Sequence, residues 1–168
     1  MNRYHQKVLD AINATTSLMN EADLTRRVGD KWSVAQTLEH LGLAFGHTAR
    51  AMARALETGR PLGDSPTLKQ RAASTLVVDI GYFPAGRQAP TMVVPTDTIG
   101  GKEALQLIRG NLAEMDRLHA ECLAKFGLQG HLANHPVLGP LTITQWPRFH
   151  WVHTRHHMKQ IRARRQAE

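Results

Sequence analysis

The chain has 168 residues, of which 42% are hydrophobic, enough to bury one core, so a single domain over residues 1–168 is expected. No apolar run reaches the roughly eighteen residues that a membrane-spanning helix needs, and the charged, amphipathic N-terminus is unlike a secretory signal, so a cytoplasmic protein without a membrane partner is expected. The net charge of +7 gathers in Arg148, Arg155, Lys159, Arg162, Arg164 and Arg165, but aromatics are only 5% of the chain and no nucleic-acid motif accompanies them. Solvation of a terminal helix is therefore the better reading of that charge. Nucleic acid is not the expected partner, whereas an anionic small molecule stays open.

In chain order, helical periodicity runs first from about Arg3 to Leu24, through Tyr4, Val8, Leu9, Ile12, Leu18 and Met19. Ser33 is the expected N-cap of a second helix that carries Leu38, Leu41, Phe45, Met52 and Leu56 and ends at Gly59. "TLKQRAASTLVVDI" forms a shorter third pattern, of which "STLVVDI" alone also suits a strand. Residues 81–101 hold too much proline and glycine for a helix and form a long excursion, of the kind that crosses a surface or the mouth of a site. A long amphipathic helix follows to Gly127, then a second loop containing His131 and His135. Thr144 is the expected N-cap of the last helix, because it places Pro147 in the first turn. Long amphipathic helices without a strand series point to an all-α four-helix bundle.

The last helix contains "RFHWVHTRHHMKQIR", in which four of ten histidines fall within eight positions. At about 100° per residue, His150, His153 and His157 share a stripe with Trp146, and His156 lies on its flank. His153 and His157 are one turn apart, near enough for both rings to reach one ion at about 2.0–2.1 Å. Two ligands make a weak site, so a third must come from another helix. His40 is the best candidate, being a histidine on the apolar side of the second helix, and His47, two turns on along the same stripe, is the alternative that could face the pair. His150 reads as a group behind the ligands, with a fourth ligand or a core residue as alternatives. For His156 a supporting hydrogen bond or plain exposure is expected. Trp32, Trp146 and Trp151 read as core caps at the bundle ends, His131 and His135 as turn residues, and Cys122 as a small core residue without a redox role.

Two stretches, "KWSVAQTLEHL" and "HWVHTRHHMKQ", resemble the DinB-like (YfiT-related) superfamily of metal-binding four-helix bundles. "HPVLGPLTITQWPRFHWVHTRHHMKQI" further resembles a subgroup known only as a domain of unknown function. The resemblance implies a bundle with long crossover connections and a divalent ion held by His40, His153 and His157. It also implies chemistry on a low-molecular-weight thiol, as in related transferases and isomerases, and homodimers are expected of such bundles.

Three neutral imidazoles leave a coordination position open, as catalytic sites do. Zinc is the default ion, while nickel and iron also suit imidazole. A metal-dependent transferase or hydrolase acting on a small molecule is therefore expected. The alternative is a non-catalytic bundle that binds metal, or one whose basic helix binds an anion or nucleic acid. The carboxylates nearest the expected ligands are Glu39, Asp79 and Asp97, and Glu39 points about 100° away from His40.

Overall fold

The computed structural model describes residues 1–84, 86 and 88–166. Its elements are α1 (Arg3–Thr16), α2 (Glu21–Thr25), α3 (Val34–Thr58), α4 (Leu68–Ser74), a π turn (Thr75–Asp79), a 3₁₀ turn (Thr91–Val93), α5 (Gly101–Phe126), β1 (His131–His135), β2 (Gly139–Thr142) and α6 (Gln145–Gln166). The four long helices form an all-α bundle in which α3 packs chiefly on α5 and α1 on α6. Its centre is apolar, with Val8, Ile12, Leu38, Leu41, Phe45, Ile108, Leu112, Met115 and Ile161 closed to solvent. Among the described residues, no helix is long and apolar enough to cross a membrane.

The expected first helix over Arg3–Leu24 is two helices. Thr15 and Thr16 turn their hydroxyls back to Ala11 O and Ile12 O, and Ser17 closes the last turn on Asn13 O. Leu18, read as part of the apolar stripe, is 89% exposed. Asn20 then starts α2 with a capping box: its side chain accepts from Asp23 N–H while Asp23 accepts from Asn20 N–H. That N-x-x-D signal is present in the sequence, and in the fold it outweighs the periodicity of the segment.

Ser33 caps α3 as expected, reinforced by Gln36 in a second capping box. Gly59 ends α3 at φ 72°, a left-handed conformation that favours glycine. The ambiguous "STLVVDI" is not a strand. It extends α4 into the π turn, whose wider spiral closes with Ile80 N–H on Thr75 O and buries Val77 and Val78 near α6.

The described residues of the expected excursion are irregular up to Gly100 apart from the 3₁₀ turn, and Gly101 already begins α5. The excursion is tied along the first half of α3, where Thr96 donates from N and Oγ1 to Glu39 and accepts from Gln36 at its carbonyl. The expected loop after Gly127 is instead a small antiparallel hairpin of β1 and β2, with Leu132 and Leu141 buried. Its turn is organised by His135, whose Nδ1 accepts from Val137 and Leu138 N–H, and by Gly139 at φ 75°. Thr144 directly precedes α6, as expected, but the side chain that receives a backbone N–H there is Thr142: Thr142 Oγ1 accepts from Gln145 N–H, and Gln145 Oε1 accepts from Thr142 N–H.

Candidate metal centre

Helix α3 carries His40 into the bundle two turns after its cap, and α6 presents His153 and His157 one turn apart from the opposite side. His40 is 4% and His153 7% exposed, while His157 is half-buried and so marks the open side of the group. The Nε2 atoms of His40 and His153 are 3.1 Å apart, and those of His153 and His157 are 3.0 Å apart. One nitrogen from each of the three rings lies within 4.8 Å of the other two. Two ligands at about 2.0–2.1 Å and the tetrahedral angle would be ~3.3 Å apart, so the spacing suits a common ion with little adjustment.

The hydrogen bonds around the rings decide which nitrogens face inward. His40 Nδ1–H donates to Val93 O at 2.7 Å, which leaves the Nε2 lone pair for the centre. His157 Nδ1–H donates to Gln160 Oε1 at 2.9 Å with the same result. Two lone pairs thus converge on His153 Nε2, which has at most one proton to offer, whereas a cation among the three would satisfy every lone pair. His153 Nδ1 is buried without a hydrogen-bond partner among the described residues. The donor set, three neutral nitrogens with two oriented from behind, fits a divalent ion.

Burial also keeps these rings uncharged. It lowers His40 below the usual histidine range despite the Val93 carbonyl, and it lowers His153 far more, with His157 and His40 adding to the effect. His157 is pushed down to about 3, by burial first and then by His40. All three therefore offer lone pairs at neutral pH.

The other candidate histidines have different places. His156 Nε2 accepts from Gln160 Nε2–H at 2.9 Å, so His156 orients the amide that in turn holds His157. His47 Nε2–H donates to Met92 O at 3.1 Å, next to the carbonyl that His40 uses. His150 is bonded to Thr48: that hydroxyl donates to Ala44 O, so it accepts from His150 Nε2–H at 3.0 Å. His131 and His135 lie on β1, and the His135 ring packs on Phe149 at 4.5 Å.

Four contributors were not foreseen. Gln160 is one, although its i, i+3 and i+4 spacing from His157 and His156 was visible in the sequence. Trp32, expected to cap the core, instead sets its ring 5.1 Å from that of His40. Phe83, from the excursion, stacks on His153 at 5.1 Å and 11° and leans on His156 at 4.8 Å. The Val93 carbonyl is the fourth. No periodicity in residues 81–101 could have shown that this segment would reach the rings.

Each of the three carboxylates considered from the sequence is engaged elsewhere. Glu39 accepts from Thr96, Asp97 from Gln36 and Arg27, and Asp79 pairs with Arg148 at 2.7 Å. The basic residues of α6 are likewise tied into the fold: Arg155 donates to Gly81 O, Arg162 to Thr15 and Arg164 to Trp32 O. The buried Cys122 donates weakly to Met52 O, and its thiol is pushed up to about 11, chiefly by burial.

No curated protein and no solved structure matches the chain. The family description "DinB superfamily" matches residues 4–161, nearly the whole length and both helices that carry the trio. The chain is a member of the DinB superfamily.

Proposed function

We propose that the protein is a divalent-metal enzyme that uses His40, His153 and His157 to hold one ion and acts on a small molecule through its thiol. The observation that carries this reading is the convergence of three Nε2 atoms, two of them oriented by Nδ1–H donation to Val93 O and Gln160 Oε1. Zinc is the expected ion, and nickel or iron would suit the same donors. When bound, the ion supplies a Lewis acid that lowers the pKa of a thiol or water in its open position.

The chain's own residues do the rest. Val93 O and Gln160 hold the tautomers of His40 and His157, so that binding requires no ring reorientation. Phe83 covers His153 and excludes water from that side, while half-buried His157 marks the side of entry. Transfer at a thiol suits this surrounding better than hydrolysis does. A thiol acidified at the centre needs no protein base, and the carboxylates considered for a hydrolase are bound to Thr96, Gln36, Arg27 and Arg148.

The test is elemental analysis of protein purified without added metal, followed by cobalt substitution and titration with 2-mercaptoethanol. One ion per chain and a thiolate-to-cobalt absorption band are expected. No ion, and no rise in melting temperature with zinc, nickel or iron, would remove the reading. A bound ion whose spectrum thiols leave unchanged would favour the alternative, a bundle in which the metal serves stability alone.

A further inference from the structure

A groove of about 540 Å³, within the range of small-molecule sites, opens one side chain away from the trio, none of whose rings lines it. Three of its wall residues neighbour the centre. Trp32 lies 5.1 Å from the His40 ring, Thr37 sits one turn before His40 on α3, and Gln160 holds His157. The groove thus approaches the centre through Trp32 and Gln160, the neighbours of His40 and of half-buried His157.

The polar residues of this groove are Asp30, Lys31 and Arg164, besides Thr37 and Gln160. Among the described residues no carboxylate pairs with Arg164 or Lys31, whereas Asp79 neutralises Arg148 on the same helix. Arg164 is half-buried, and its one hydrogen bond goes to Trp32 O at 2.8 Å, which anchors the guanidinium at the groove wall with donors to spare. The local charge is two positive groups against one negative, a surplus that suits a single carboxylate better than a phosphate dianion.

Spacing along α6 sets the reach. His157, Gln160 and Arg164 follow one another at i, i+3 and i+7 on one stripe, so Arg164 lies about 10 Å along the axis from His157. Its side chain leans back toward the helix start, which shortens the distance to be spanned.

We infer that the groove formed by Trp32, Lys31, Gln160 and Arg164 binds the tail of a carboxylate-bearing thiol, with Arg164 and Lys31 holding the carboxylate while the sulfur reaches the three histidines. The inference rests on the thiol reading above and specifies the substrate class for it. Asp30 limits the surplus charge, and so selects against more highly charged tails.

A matched pair of probes tests it: 6-mercaptohexanoate and 6-mercaptohexanol, equal in length and thiol chemistry and different only in charge. Each is titrated into cobalt-loaded protein at low ionic strength, with the thiolate-to-cobalt band as readout. The acid should bind about tenfold more tightly than the alcohol. Arg164→Met should bring that ratio close to one without changing the affinity for the alcohol or the cobalt d–d spectrum. Asp30→Asn, at an exposed position away from any described contact, should raise the ratio.

Equal affinities of the two probes in the parent, or a ratio that Arg164→Met leaves intact, would overturn the inference while the thiol reading stands. A band with neither probe would overturn the thiol reading, and the inference with it.

Discussion

Two groups of buried histidines occupy this bundle, and only one brings its rings within common reach of an ion. His5, His119 and His150 form the contrast to His40, His153 and His157. In both groups rings give one N–H to an oriented acceptor: His5 to Asp116 at 2.7 Å, His119 to Ile143 O at 3.2 Å and His150 to Thr48, against His40 to Val93 O and His157 to Gln160. The second nitrogens differ. Among the described residues, His5 Nε2 and His150 Nδ1 are buried without a partner, while the Nε2 atoms of the trio end on one another. Among the described residues the trio is the only group of three or more histidines, cysteines or carboxylates within common reach of an ion. Burial of a histidine therefore says little about metal, and convergence of lone pairs says a great deal.

The contrast breaks most sharply at His153, which touches both other rings. His153→Ala should abolish metal binding and with it the zinc-dependent rise in melting temperature, a loss of about 4 kcal/mol of stabilisation at a thousandfold excess of zinc over its dissociation constant. His150→Ala should lower the apo protein's melting temperature and leave the zinc-dependent rise in place. Equal loss of that rise in both variants would mean that the two groups are not distinct.

The next effect is smaller and falls on the residues behind the trio. Gln160→Leu removes the acceptor that holds His157, and should weaken zinc binding about 10- to 100-fold in competition with a chelator of known affinity. Gln160→Glu should restore most of it. His156→Ala, which frees only the far side of the Gln160 amide, should cost less than Gln160→Leu; the reverse order would assign His156 a direct role.

In the contrasting group, Asp116→Asn weakens the charge-assisted hydrogen bond to His5 and should destabilise the fold by about 1–3 kcal/mol without altering zinc affinity. Denaturant unfolding with and without zinc measures both quantities.

Acid provides the finest distinction. Burial lowers His5, His119 and His150 below the ordinary histidine value, and His135 to about 4. The unfolded chain therefore takes up protons first as pH falls. The stability due to these neutral rings is complete above about pH 6.5, and is lost progressively as pH falls from there toward the folded-state values. Melting temperatures of metal-free His153→Ala between pH 7.5 and 4.5 should follow that decline. A flat profile would mean that these rings are not held neutral by the fold.

Much of this was legible in the residues. Apolar periodicity located the long helices, Ser33 and Gly59 bounded α3, and His153 and His157 at i, i+4 with His40 on an apolar face identified the trio. These features are local, or repeat at the helical period, and burying an amphipathic stripe leaves a helix little choice of orientation. The same periodicity misled at Leu18, where threonine back-bonding and the Asn20 capping box outweighed the continuing apolar pattern. It was also blind to the hairpin, whose strands of five and four residues are too short to show a period.

What only the tertiary structure decided lies in the segments without a period. That Val93 would give its carbonyl to His40, that Phe83 would stack on His153, and that Trp32 would leave the core to wall a groove shared with Arg164 all depend on the path of irregular chain. Such a path is set by a few distant contacts, the hold of Thr96 on Glu39 among them, and residue order alone does not reveal which distant groups will meet.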